Sequence, residues 1–507
     1  MFKNILFVVL FFSLTFLSAQ TPIWQQSYEL EPGLENDDDS RGVISDSTGI
    51  YLITQTWCEE SPCVGIIKLN PEDGEVIFRK KYTYIPPVTS MFSGVERCLI
   101  KTMDGNYLLA GILYIDYEQS LFLLKFDTNG DSIWFKSYVG ESKDVPNAII
   151  ESPEGDLFLH SDGFNNDGIT EIDITKLDSE GNIIWEKQHD FSDIMFNPAH
   201  GGIALTEDQE IMLYFSGYAI EPTDNSRYAH LAKFDEEGNL LWVDRLYQEQ
   251  FLYGEVLKRL PDGNFAGSVM IDSFIAEPIA INNLPMITKF DNDGNILWEF
   301  IPPSIGRQYL LSMSVTGDGS ILAYGQMWNP ENFPENYQGW IAKISSDGEL
   351  LWQRGYFLDE MPAAFFKFRD VDECPDGSLV AVGTTEIVET SNYNAWVVKL
   401  DSEGCFDADD CTGYNNLIVG TEEITLPESD NIILAPNPTS DKQFHLLAET
   451  LPPNAEIRLY SSLGQLLFTE KWIQSEQVFS LPNGGLFYVV VFSEGRQVAV
   501  RKVVAVE

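Results

Sequence analysis

The chain has 507 residues, of which 44% are hydrophobic, 21% charged and 13% aromatic. That composition excludes wholesale disorder and any collagen-like or coiled-coil architecture. Lys and Arg number 31 against 78 Asp and Glu, a formal charge of -47 at pH 7; such a field repels phosphate backbones and anionic lipid heads, which argues against nucleic acid as a partner.

Residues 1–19 read as a signal peptide. Lys3 is the positive n-region, Ile5–Leu17 is an apolar or hydroxyl run, and Leu17-Ser18-Ala19 offers a cleavage site before Gln20. The run is shorter than the roughly 20 apolar residues a bilayer span needs. No Cys follows it directly, which argues against a lipoprotein. Export by the Sec route is the expectation.

One pattern then recurs, Lys-apolar-Asp-x-x-Gly-x-x-x-Trp. It appears at Lys68, Lys125, Lys176, Lys233, Lys289 and Lys343, and without its aromatic at Lys399. Its turn glycines are Gly74, Gly130, Gly181, Gly238, Gly294, Gly348 and Gly404, spaced 51 to 57 residues apart. The aromatic sits four residues after the glycine, at Phe78, Trp134, Trp185, Trp242, Trp298 and Trp352. A second turn precedes each copy, as in DGNYLLAG at Asp104 and DGSLVAVG at Asp376. Gly and Asp accept the positive φ of hairpin turns, so two hairpins per period imply four antiparallel strands. The last copy lacks a Trp strand, yet IWQQSY at 23–28 matches LWQRGY at Leu351. The expected fold is therefore all-β: a seven-bladed propeller over 20–411, closed by an N-terminal strand that removes a free sheet edge. Each Trp is expected to lie between adjacent blades, where its large ring buries best. The repeat resembles those of exported Bacteroidetes propellers and, more distantly, the tryptophan-docking repeats of quinoprotein dehydrogenases.

The period ends near Thr412. Residues 412–430 read as an acidic linker without periodicity. Residues 431–507 hold seven acids and six bases, so almost all the negative charge belongs to the repeat region. Alternating strands separated by Gly, Asn and Pro predict a small β-sandwich there. The opening Pro436-Asn437-Pro438, the turn around Gly464, the strand Gly485-Leu486-Phe487-Tyr488 and the basic pair Arg501-Lys502 before a valine-rich end resemble the type A C-terminal sorting domain of the type IX (Por) secretion system. That resemblance implies a Gram-negative Bacteroidetes host and a second export step, at the outer membrane. It also implies release or attachment to the cell surface through lipopolysaccharide.

Six Cys suit an oxidising destination. Cys58–Cys63 and Cys405–Cys411 are spaced for local bridges, while Cys98 and Cys374 are expected as free thiols or as a contact across the channel. No zinc spacing occurs, and neither a metal nor a cofactor is expected. DNDGN at Asp291 places Pro302 where an EF-hand needs its bidentate acid, so it reads as a hairpin turn.

If both short turns lie on one face of the repeats, the long connections fall on the other. These are 83–94, 190–202, 218–230, 326–339 and 357–370. Trp57, Tyr228, Trp328, Phe333 and Tyr337 on that face are suited to stack on sugar rings. GxSxG, HExxH and P-loop motifs are absent. His200 and His230 form the one candidate acid–base pair, and His189 stands where other repeats have Tyr. The expected function is a secreted or surface-attached binding module for extracellular glycan or protein. The alternatives are a polysaccharide hydrolase or lyase using loop carboxylates, and an adhesive or structural surface protein.

Overall fold

The computed structural model describes residues 23–406 and 432–505, apart from 31–37, 59–60, 83–87, 95, 116–117, 139–144, 165–169, 220–226, 247–255, 273–282, 304–306, 329–336, 358–363, 388–391, 437–438, 440–441, 449–453, 462–465, 482–484 and 494–495. The expected signal peptide and linker lie outside the described residues. Contacts divide the chain into two units, Met1–Ile418 and Val419–Glu507.

Local chemistry at the repeated turn explains why the strands begin and end where they do. Asp127 Oδ1 accepts the amides of Asn129 and Asp131, both at 2.8 Å, while Gly130 at φ 71° donates to the Asp127 carbonyl at 2.9 Å. The same closure recurs at Asp178, Asp235, Asp291 and Asp401. An aspartate mimics a backbone turn, and glycine takes the left-handed conformation that a side chain would resist. The chain then reverses into an antiparallel partner, such as Ser132–Tyr138 against Glu118–Phe126.

Among the described residues, the first unit contains seven antiparallel sheets that follow one another along the chain. They span 39–82, 88–138, 145–189, 196–245, 256–300, 307–356 and 364–400. Six have four strands in simple sequence order, counting Trp24–Tyr28, which pairs with Asn392–Leu400 as the outer strand of the seventh. The second sheet has five. Its first strand is split into Val88–Ser93 and Leu99–Lys101 around a short 3-10 turn, Glu96–Cys98, and both pieces pair with Tyr107–Ile115. Four strands per repeat thus holds everywhere but there.

The first strand of each sheet touches the first strand of the next, and Ala364–Glu373 of the seventh returns to Asp39–Asp46 of the first. Asp370 and Asp372 carboxylates accept the amides of Val43 and Ser45 across that last junction, at 2.9 and 2.7 Å. Further out, each repeat aromatic lies on the turn glycine of the following sheet. A Cβ on Gly74, Gly130, Gly181, Gly238, Gly294, Gly348 or Gly404 would meet Trp24, Phe78, Trp134, Trp185, Trp242, Trp298 or Trp352 respectively. The Trp residues therefore sit between neighbouring sheets, as their spacing implies. Four residues further along, Tyr28, Tyr82, Tyr138 and Tyr356 donate to the carbonyls of Gly74, Gly130, Gly181 and Gly404, each at 2.7 Å.

The second unit has a three-stranded sheet (Ile432–Ala435, Gln443–Ala448, Glu476–Ser480) and a four-stranded one (Leu466–Lys471, Glu456–Ser461, Gly485–Ser493, Arg496–Ala505). Phe444, Leu446 and Phe479 of the first sheet share one buried cluster with Ile457, Leu459, Val489, Val491 and Val503 of the second.

Several expected connections are partly strand. Val88–Ser93, Phe196–Leu205, Arg227–Phe234, Tyr337–Ile344 and Ala364–Glu373 run through them. Each of these strands carries a register shift, and that at Phe196/Ala199/Gly201 takes in Asn197 and Pro198. Proline and asparagine in a strand read as loop from sequence; a bulge accommodates them without ending the ladder.

Candidate functional site

The seven first strands and the Glu96–Cys98 turn carry eight basic and seven acidic residues. The chain as a whole carries 31 and 78. The acidic excess therefore belongs to outer strands, turns and connections, and the strands that meet one another are close to neutral.

Both families of hairpin turn fall at one end of these sheets. Four of the five predicted aromatic residues are described, and they fall at strand ends opposite. Trp57, in the first sheet, is 44% exposed and pairs with Pro62. Tyr228, in the fourth, is buried, and its ring is covered by the Arg245 guanidinium at 3.1 Å. Trp328 and Tyr337 are direct cross-strand partners in the sixth sheet. Phe333 lies outside the described residues.

Tyr337 opens onto a cavity of about 300 Å³ between the sixth and seventh sheets, lined also by Gln326, Phe365, Lys367, Thr384 and Glu386. Strand register builds it. In the sixth sheet Arg307, Trp328 and Tyr337 form a row across three strands, with Tyr309 opposite Gln326 in the next row. In the seventh, Phe365 faces Glu386 and Lys367 faces Thr384. Period-two alternation puts Phe365 and Lys367 on one face of their strand. The Tyr337 ring lies 5.8 Å from Tyr309 and 5.7 Å from Phe365, centroid to centroid, at 60° and 53°. Arg307 lies 5.8 Å from the Trp328 ring, and the Lys367 ammonium 5.6 Å from that of Tyr393.

Charge beside the cavity is mixed. Asp39 accepts from Arg41 Nε at 3.1 Å and Arg369 Nη2 at 3.4 Å, and from the Thr384 hydroxyl. Burial alone would raise its pKa; Arg369, Arg41, Thr384 and Lys367 together outweigh that and hold it below the usual carboxylate range. Burial lowers Lys367, reinforced by Arg369 and opposed by Asp39 and Glu386. Burial and the neighbouring Tyr309 raise Tyr337. The site thus offers two aromatic faces, an ammonium, a carboxylate, an amide and a hydroxyl.

Of this set, sequence reading found Trp328 and Tyr337 and missed Phe365, Lys367, Thr384, Glu386 and Gln326. A usable signal was present, since a lysine flanked by phenylalanines at 365–368 stands out in a chain so poor in cations.

His230 lies on a strand rather than in a loop, buried beside Phe215 and Tyr228, and burial pushes it down to about 4. The His200 side chain lies outside the described residues. His189 packs on Phe191 and Phe234, and burial together with Lys187 lowers it to about 4. No cluster of metal-ligating side chains occurs among the described residues. Cys98 and Cys374 are buried thiols, the first facing the Pro146 carbonyl and the second the Ser45 hydroxyl. Cys63 and Cys405 are buried; the Cys58 side chain and Cys411 lie outside the described residues.

In the second unit, Tyr488 faces Lys502 and Val489 faces Arg501 in register, and Arg501 Nε donates to the Ile432 carbonyl at 3.2 Å. Pro436 follows a cis peptide bond and is exposed, and Gly485 opens the strand that carries Tyr488. Asn437, Pro438, Gly464 and the Lys502 side chain lie outside the described residues.

No family model matches the chain, and no curated protein does. Its neighbours among solved structures are β-propeller proteins. PorZ, an essential bacterial surface component of the type IX secretion system of Porphyromonas gingivalis, is 10% identical, with 92% of this chain and 75% of that one covered and a TM-score of 0.32. The β-propeller domain of the Trilobed protease from Pyrococcus furiosus is 10% identical over 76% of this chain and 98% of its own, at 0.43. A polysaccharide lyase of family PL25, an ulvan lyase, is 11% identical over 74% and 97%, at 0.44.

Proposed function

We propose that residues 20–411 form a seven-bladed β-propeller closed by the N-terminal strand, and that it is a binding module for extracellular glycan. The observation that carries this reading is the cavity between the sixth and seventh sheets. Its volume, about 300 Å³, suits a sugar ring rather than a flat protein epitope, which needs on the order of 800 Å² per partner. Tyr337 and Phe365 offer faces for the C–H edges of a pyranose. Gln326, Thr384, Lys367 and Glu386 offer the donors and acceptors that fix hydroxyls. A hydrolase needs two carboxylates flanking one bond, about 5–9.5 Å apart; Glu386 alone among the described carboxylates lines this cavity.

Delivery follows from the two ends. Residues 1–19 act as the Sec signal, 412–430 as a linker and 431–507 as a sandwich-like sorting domain for the type IX machinery. The product is secreted or held on the outer surface. Bridges Cys58–Cys63 and Cys405–Cys411 brace the propeller there.

The full chain, run through native gels containing a panel of polysaccharides, is expected to be retarded by at least one. Tyr337→Ala should abolish that retardation without lowering the unfolding midpoint by more than a few degrees. The same mixtures are then assayed for new reducing or unsaturated ends. Products would replace the binding reading with catalysis, and mobility unchanged by every glycan would overturn it.

A further inference from the structure

We propose that this cavity selects an anionic sugar, a pyranose bearing a carboxylate or a sulfate ester, with Lys367 as the group that holds the anion. The inference rests on the glycan reading above and narrows it.

Lysine pairing elsewhere in the molecule makes Lys367 distinctive. Lys125, Lys176, Lys233, Lys289, Lys343 and Lys399 are all buried, and each ammonium lies 2.6 to 3.7 Å from a carboxylate of a hairpin turn. The buried Lys68 donates instead to the Thr128 carbonyl at 3.1 Å; an engaged ammonium is the rule for an interior lysine, because burying an unpaired charge is costly. Lys367 breaks it: half-buried and lining a cavity, it makes no ion pair or hydrogen bond among the described residues. The nearby carboxylate of Asp39 is already engaged by Arg41, Arg369 and Thr384.

The surroundings carry a local excess of positive charge. Arg41, Arg369 and Lys367 act on Asp39, and Arg307 acts on Tyr337, against the carboxylates of Asp39 and Glu386. Among the described residues four cations face two anions, in a chain whose net charge is -47. Arg369 also keeps a buried Nε with no acceptor. A neutral sugar would leave this excess uncompensated. An anion beside Lys367 completes it, while Glu386, one row away opposite Phe365, accepts from ring hydroxyls and so sets which end of the sugar enters. The acidic exterior repels polyanions at long range, so recognition is confined to contact distance. At about 0.15 M salt, where screening acts beyond roughly 8 Å, the distant acids weigh little.

The test measures affinity of the full chain by calorimetry at that ionic strength, using two matched pairs of probes. The first is polygalacturonate against its methyl ester, and the second is sulfated dextran against dextran. The expected result is at least tenfold tighter binding of one or both charged forms, and which pair responds tells carboxylate from sulfate. Lys367→Met should remove most of that preference, whereas Lys367→Arg should keep it within about threefold. The wild-type ratio of charged to neutral probe stands even if a variant fails to fold. Equal affinity for charged and neutral members of both pairs, or a preference that survives Lys367→Met, overturns the inference and leaves glycan binding intact. Silence from all four probes and from the wider gel panel removes both.

Discussion

Gly348 and Gly105 share a left-handed backbone, at φ 86° and 83°, but differ in what surrounds them. A Cβ on Gly348 would come within 2.9 Å of the Trp298 ring, whereas nothing lies within 4 Å of one on Gly105. Gly105→Ala should therefore cost only the backbone term, about 1–2 kcal/mol. Gly348→Ala should cost about 3 kcal/mol, since the indole must also shift. Urea unfolding of the two variants separates the contributions, and equal losses would mean the aromatic does not bear on its glycine. A second contrast concerns His189, which replaces the tyrosine of other repeats. Its folded pKa, and that of His230, is about 4 against 6.5 for the free group. The unfolded chain then binds protons first on acidification, so this stability is present above pH 6.5 and is lost as pH falls toward 4. Asp372 works the other way. Burial raises it to about 6, so the folded state takes up a proton in the same window. His189→Tyr should consequently flatten the fall in stability between pH 6.5 and 4 by about one proton. It should also add about 1 kcal/mol if the hydroxyl reaches the Gly238 carbonyl as Tyr138 reaches that of Gly181. Parallel pH curves for the variant and the parent would refute the assignment.

At the level of elements, the repeated lysine joins pieces of chain that backbone pairing leaves separate. Lys289 Nζ reaches Asp262 in a hairpin turn of its own sheet at 2.6 Å and the Ser346 carbonyl in the next sheet at 2.9 Å. Lys289→Met keeps the stem and removes both bonds. The expected loss is about 1.5–3 kcal/mol, the range for hydrogen bonds to a charged group, read from the denaturant midpoint at constant slope. A loss below about 0.5 kcal/mol would mean that the lysine merely fills space. Sequence periodicity made these elements legible, because turn chemistry is local: an aspartate, a glycine and an aromatic at fixed offsets specify where a hairpin closes and which ring covers it. The cavity was less legible for the opposite reason. Tyr337 and Gln326 come from one sheet, and Phe365, Lys367, Thr384 and Glu386 from another, with a register shift between Phe368 and Asp370 aiming the strand. No spacing in the chain encodes the packing of neighbouring sheets. Asn197 and Pro198 also masked a strand whose ladder simply bulges around them.

For the molecule as a whole, the question is how much its stability depends on the contact that joins first sheet to seventh through the N-terminal strand. Trp24–Tyr28 pairs residue by residue with Ala395–Lys399 of the seventh sheet. Trp24 and Tyr28 meanwhile lie against Gly74 in the first, the indole also donating to the Pro71 carbonyl at 3.3 Å. This is the relation every other repeat aromatic has with the turn that follows it in sequence, formed here by residues from opposite ends of the repeat region. In a circular stack no junction is special, so loss of any one should cost the same. Trp24 and Trp352 make a matched pair, at 9% and 7% exposure. Trp24→Ala and Trp352→Ala should each cost about 3–5 kcal/mol, the usual range for a buried Trp. Both variants should unfold in a single transition. In an open stack the first and seventh sheets would separate cheaply. Trp24→Ala would then cost less than about 1 kcal/mol, and the bared edge of Asn392–Leu400 would show itself as concentration-dependent association in sedimentation. Equal losses with a monomeric variant mean that the sheets hold one another in a closed circuit, and that the strand register building the Lys367 cavity depends on all of them.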